Sequence, residues 1–126
     1  MEVGVLIVED ELLIAFHLQD LVEEAGLRVA GVARNTKEAI EAASQQRPAF
    51  AMMDMRLDGG SSGLDAARIL FETWKIRSIF LSANLDDRAR DASRDLQPLG
   101  YIGKPFLPSE VAAALVRAAR ETSVGE

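Results

Sequence analysis

Cysteine is absent from the 126 residues. That excludes a disulfide framework and any cysteine-based metal site, and it fits a reducing, cytoplasmic setting. Histidine is nearly absent too: His17 stands alone. No apolar run approaches the ~20 residues of a membrane span. The N-terminus has no basic stretch leading into a long apolar one, so a signal peptide is not expected. Basic charge is short: 14 Lys and Arg face 20 Asp and Glu, for a net charge of −6. That balance disfavours direct nucleic-acid binding, which needs cations to neutralise phosphates. Repeats and low-complexity segments are missing. What remains is 48% hydrophobic and 27% charged, the composition of one soluble domain. A chain of this length buries roughly two-thirds of its unfolded surface, so a core forms without staples.

The pattern of that core alternates. Residues 4–8, Gly-Val-Leu-Ile-Val, are a short apolar run with β-branched content, which reads as a buried strand. Ile14, Leu18, Leu21, Val22 and Ala25 then recur at helical spacing, and Gly26 can close that helix. A second strand is expected over residues 27–33. A helix over 36–46 follows, with Thr36 as its cap and Ala39, Ile40 and Ala43 inward. Pro48 ends it, and Phe50 to Met53 form a third strand. Ser62-Gly63-Leu64-Asp65 resembles a capping box that opens a helix to about residue 73. A fourth strand spans 78–82. A helix that is polar nearly all round covers 86–96, and a short fifth strand covers 101–103. A last helix runs from 108 to about 121, with Val111, Leu115 and Ala118 inward and residues 122–126 as a frayed tail. Five strands alternating with helices imply an α/β fold: a flavodoxin-like, doubly wound parallel sheet of order 2-1-3-4-5, with helices on both faces.

In such sheets the ligand lies beyond the carboxyl ends of the strands, where the strand order reverses. Strand one ends in Glu9-Asp10, strand three in Asp54, strand four in Ser82 and strand five before Lys104-Pro105. Strands one and three are neighbours about 5 Å apart. Three acids so close repel one another and raise one another's pKa unless a cation joins them. An oxygen-rich cluster without sulfur or imidazole suits a hard cation such as Mg²⁺. Lys104 offers a point charge for a phosphoryl group or a carboxylate, and Ser82 offers a hydroxyl. The inventory suits transfer of a phosphoryl group to a carboxylate oxygen, with Asp54 as nucleophile. Gly59 and Gly60 let the chain after Asp54 curl back, so that a backbone carbonyl can face the metal.

The chain resembles the receiver domain of two-component response regulators, over about residues 5–118. "VLIVEDE" is similar to the family's first strand and acidic pair, "MMDMRL" to its phosphoacceptor strand, "IFLSAN" to its switch strand and "YIGKPF" to its fifth strand. The order and the spacing agree: 44 residues separate Asp10 from Asp54, and 22 separate Ser82 from Lys104. The resemblance implies a receiver domain over residues 1–121 that signals rather than catalyses. Asp54 would accept the phosphoryl group, and Glu9, Asp10 and Asp54 with the backbone carbonyl of Arg56 would hold Mg²⁺. Lys104 would contact the phosphoryl oxygens and Ser82 would move towards them. Tyr101 would rotate inward as Ser82 leaves its place, and the Lys104-Pro105 bond would be cis. The implied partners are a histidine kinase or histidine phosphotransfer protein and a downstream protein. A homodimer through the fourth helix, fifth strand and fifth helix is a further implication.

Several positions depart from the family pattern. Asp58 stands where a proline is usual, and Gly63 comes nine rather than eight residues after Asp54, as if one residue were inserted. Glu9 is longer than the aspartate of many relatives, and the Arg56 side chain is long enough to fold over the site. Residues 96–100 replace the usual small-residue turn. His17 reads as an ordinary helix-surface histidine, Trp74 as a partly buried anchor, and the mixed-charge run 86–95 as a solvated face or a partner surface. A stand-alone receiver is the first expectation. The receiver portion of a longer regulator or hybrid kinase is the second. An aspartyl-phosphate phosphohydrolase is disfavoured because Arg56 occupies the place of its general acid. A flavodoxin-like cofactor carrier is disfavoured because the first loop is acidic and no phosphate-cradling glycine loop is present.

Overall fold

The computed structural model describes residues 3–57 and 62–123. Five parallel strands form one sheet in the order β2-β1-β3-β4-β5. The strands are β1 (Gly4–Val8), β2 (Arg28–Ala33), β3 (Phe50–Asp54), β4 (Arg77–Ser82) and β5 (Gly100–Gly103). The helices are α1 (Leu12–Glu24), α2 (Thr36–Gln45), α3 (Gly63–Trp74), α4 (Asp87–Ser93) and α5 (Pro108–Ser123). Every residue of β1 and β3 is buried. These strands lie inside the sheet and are covered on both faces, so their sequences are continuously apolar rather than alternating.

The two-residue period of a strand divides the core into two layers. Val5, Ile7, Phe50, Met52, Ile79 and Leu81 pack on one face against Leu18 and Val22 of α1 and Val111 and Leu115 of α5. Leu6, Val8, Ala51, Met53 and Phe80 pack on the other against Ala39 and Ala43 of α2 and Ala67 and Leu70 of α3. Small alanines on α2 let that helix lie close to the sheet.

Helix ends depart from expectation in instructive ways. The cap of α2 is Asn35, not Thr36: its side-chain oxygen accepts the Glu38 N–H at 2.9 Å, while Glu38 accepts the Arg34 N–H at 2.9 Å. Thr36 is already helical, and its buried hydroxyl has no hydrogen-bond partner among the described residues. Ser62 does cap α3, but it accepts from Leu64 N–H, and Asp65 makes no reciprocal bond among the described residues. The helix expected over 86–96 breaks in two. After α4 the chain tightens into a 3₁₀ turn, Arg94–Leu96, and then takes a left-handed turn at Gln97, φ 51°. The last helix continues past residue 121 through Ser123, where Thr122 Oγ1 donates to the Ala118 carbonyl at 2.8 Å. Residues 58–61, which carry Asp58, Gly59 and Gly60, and residues 124–126 lie outside the described residues. Among the described residues no helix is long and apolar enough to cross a membrane.

Candidate functional site

The register of the sheet brings the acids together. β1 pairs with β3 up to Val8 and Met53, so Glu9 and Asp54 leave the sheet side by side. The Glu9 N–H still donates to the Ala33 carbonyl at 2.9 Å, which holds it as an extension of β1. Glu9 and Asp54 are 1% and 4% exposed, and Asp10 is half-buried. Carboxylate oxygens of Glu9, Asp10 and Asp54 all lie within 4.8 Å of one another.

Lys104 supplies the countercharge from the far end of the chain. Its ammonium is 2.7 Å from Glu9 Oε1 and 3.2 Å from Asp54 Oδ2. Its backbone N–H donates to the Ser82 carbonyl at 2.9 Å, which places it beside the end of β4. Backbone amides serve the remaining oxygens: Glu11 N–H donates to Glu9 Oε2 at 3.1 Å, and Arg56 N–H to Asp54 Oδ1 at 3.2 Å. Even so, burial pushes the Glu9 carboxyl up from 4.5 to about 7; its bonds to Lys104 and the Glu11 amide oppose the rise and the nearby Asp54 adds to it. Burial would lower the Lys104 ammonium, but Glu9 and then Asp54 outweigh it and hold that pKa above its ordinary value. One cation among three acids leaves a surplus of negative charge. An all-oxygen set with that surplus fits a hard divalent cation.

A cavity of about 190 Å³ opens over these groups, lined by Asp10, Asp54, Arg56, Ser82 and Lys104 among others. Ser82 Oγ accepts the Asn84 N–H at 3.0 Å. The Lys104-Pro105 peptide bond is cis. Gly63 explains itself here: a Cβ at that position would stand 1.8 Å from the Asp54 carbonyl oxygen. Its N–H donates to the Met55 carbonyl at 3.0 Å, and Arg56 forms a bridge with Ser62, so the loop after Asp54 is pinched shut at its base.

Residues 5–116 match the response regulator receiver domain family. The chain belongs to that family. It is 42% identical over 119 residues, 94% of its length, to the phyllosphere-induced regulator PhyR of Methylorubrum extorquens, of which it spans 44%. The receiver domain of Erythrobacter litoralis PhyR superposes with a TM-score of 0.80 at 32% identity, covering 94% of this chain and 91% of that one. The signal receiver domain of a modulated diguanylate cyclase from Desulfovibrio desulfuricans superposes with a TM-score of 0.87 at 30% identity over the whole of both chains.

Other residues of the receiver fall into place. His17 is exposed on α1 with its ring 5.5 Å from that of Phe106. Trp74 is half-buried beneath the Arg47 guanidinium, 4.8 Å from the ring centroid. Tyr101 is half-buried, its ring stacked on Phe80 at 5.8 Å with the Arg90 guanidinium 4.7 Å from its centroid. Its hydroxyl is hydrogen-bonded to Ser93 Oγ. Ser93 is fully buried, although it lies in the mixed-charge run that reads as a solvated face or a partner surface. Its signal was present: Ala89, Ser93 and Leu96 are spaced four and three residues apart, a narrow inward stripe among charged residues.

Proposed function

We propose that this receiver takes a phosphoryl group onto Asp54 from a histidine of a kinase or phosphotransfer protein, and that a protein surface responds. One Asp54 carboxylate oxygen attacks phosphorus as the P–N bond of the donor breaks. The electron pair stays on the imidazole nitrogen, which takes a proton from solvent. Glu9, Asp10 and Asp54, with the Arg56 carbonyl, would hold Mg²⁺. When bound, the ion neutralises charge that builds on the phosphoryl oxygens. Lys104 neutralises Asp54 and Glu9 in the resting site and turns to the phosphoryl oxygens after transfer. Ser82 is placed to give up its bond to the Asn84 amide and donate to the phosphoryl group instead.

The clustering of Glu9, Asp10, Asp54 and Lys104, with Asp10, Asp54 and Lys104 lining one cavity, carries this reading. A second observation favours a protein as donor. Beside the acids, α1 begins with Leu12, Leu13 and Phe16, which are 62%, 83% and 53% exposed, and Leu107 after Lys104 is 63% exposed. Large apolar side chains left in water at the approach to a site suit a docking protein. The response passes through Ser82 and Tyr101 to α4 and β5, the surface on which a downstream protein, or a second copy through α4, β5 and α5, would read it. The anti-anti-sigma factor PhyR of Bartonella quintana is 32% identical to this chain. The output of this chain, alone or within a longer regulator, is a proposal of the same kind: contact with a protein.

The test is intact mass after incubation with Mg²⁺ and acetyl phosphate. Wild type should gain one phosphoryl group, lost when Mg²⁺ is withheld and absent in Asp54→Asn. A gain that survives in Asp54→Asn would refute the assignment of the acceptor.

A further inference from the structure

Ser93 has one hydroxyl proton and three neighbours. Its oxygen lies 3.1 Å from both the Ala89 and Arg90 carbonyls, which can only accept. The hydroxyl proton therefore points back along α4, and Ser93 Oγ receives the proton of the Tyr101 hydroxyl. Tyr101 thus has its donor committed to α4. Phe80 stacks under its ring and Arg90 lies over it, so β4 and α4 grip the same side chain.

The helix depends on that grip in return. Ser93 is the only buried residue of α4. The lead-in to α4 is tied to the sheet by the bond from Asn84 N–H to Ser82 Oγ. So α4 is held at its leading end by the hydroxyl proposed to move and at its trailing end by Tyr101 and by Arg68 of α3, which reaches the Ala92 carbonyl at 3.5 Å and Asp95 at 2.7 Å.

We infer that Ser93 is a positioning residue that latches Tyr101 and α4 in the unphosphorylated arrangement, so that its bond opposes the response to the phosphoryl group. This deepens the function proposed above and, for its coupling to Asp54, rests on it. When Ser82 turns to the phosphoryl group, the leading tie is lost, and the Ser93–Tyr101 bond joins the Arg90–Tyr101 contact and the Arg68 bonds to the Ala92 carbonyl and Asp95 in setting how far α4 yields. A ligand favouring the unlatched state must overcome that bond, so removing it raises the ligand's affinity by the same factor. One net hydrogen bond corresponds to about a fivefold change.

The experiment has two arms, on wild type, Ser93→Ala, Tyr101→Phe and the double variant. Amide hydrogen exchange by NMR reads the latch without any phosphoryl group. Each single variant should speed exchange over residues 87–96 about fivefold, leave the amides of β1 and β3 unchanged, and show no further gain in the double variant. Additive effects, or no effect, would overturn the latch. The second arm titrates beryllium trifluoride, a phosphoryl mimic, with Mg²⁺. Each single variant should bind it about fivefold more tightly than wild type, and the double variant no more tightly than either. Equal or weaker binding would overturn the opposition to phosphorylation. If wild type fails to bind the mimic, the phosphoacceptor reading and the coupling fall together, and the exchange arm still decides the latch.

Discussion

The acid cluster and the helix proposed to read it are built differently. Glu9 and Asp54 extend β1 and β3, strands with every residue buried between two helical layers. α4 has seven residues, one of them buried, and it hangs between a loop and a 3₁₀ turn. Chemistry that needs three acids and a cation at fixed separations sits where packing permits little movement. The element proposed to report it sits where fewer contacts must be broken. Local opening is drawn from the thinly packed end of a structure, and preorganised charge from the rigid end.

That contrast can be broken with three substitutions. Phe50→Ala empties a fully buried position at the start of β3. It should cost about 3–5 kcal/mol of unfolding free energy, read by denaturant titration. A loss similar to that of a substitution on α4 would erase the distinction between the two regions.

The next effect is a pH profile. The folded Glu9 carboxyl sits at about 7, above its ordinary 4.5, so the folded protein binds this proton more tightly than the unfolded chain does. The resulting stabilisation is fully present below 4.5 and is lost as pH rises through about 7. Relative to Glu9→Gln, wild type without Mg²⁺ should therefore lose up to about 3 kcal/mol across that window. Unfolding midpoints of the two proteins from pH 4 to 8 would check it; parallel profiles would mean that Glu9 is not strained in the resting site. Added Mg²⁺ should reverse most of the loss.

The smallest effect belongs to α4. Asp86 Oδ1 accepts the Ala89 N–H at 2.9 Å as the cap of this helix. Asp86→Ala should cost about 1 kcal/mol and speed amide exchange only over residues 87–93. Faster exchange that spread into β3 would show the two regions to be one cooperative unit.

Much of this was legible from residue order. The alternation of apolar runs and helical stripes gave all five strands and all five helices. Acids and a lysine at successive strand ends marked the site, because a parallel sheet carries its strand ends to one edge. Boundaries were read less well. Asn35 rather than Thr36 caps α2, because either can accept an amide hydrogen and only backbone geometry chooses. Ser93 reads as one more polar residue in a charged run, because its hydroxyl partner, Tyr101, comes from β5.

The sequence by itself determined the order of elements, the two-sided burial of β1 and β3, and which chemical groups stand at the strand ends. Periodicity and residue type are local properties, and they suffice for that. Only the tertiary structure decided the partners. Lys104 divides its charge between Glu9 and Asp54, residues 95 and 50 positions away. Gly63 is required because a backbone carbonyl from β3 lies where its side chain would be. The Glu9 carboxyl is raised because β1 buries it. Each is a matter of distance in space, which strand pairing creates and sequence spacing does not record.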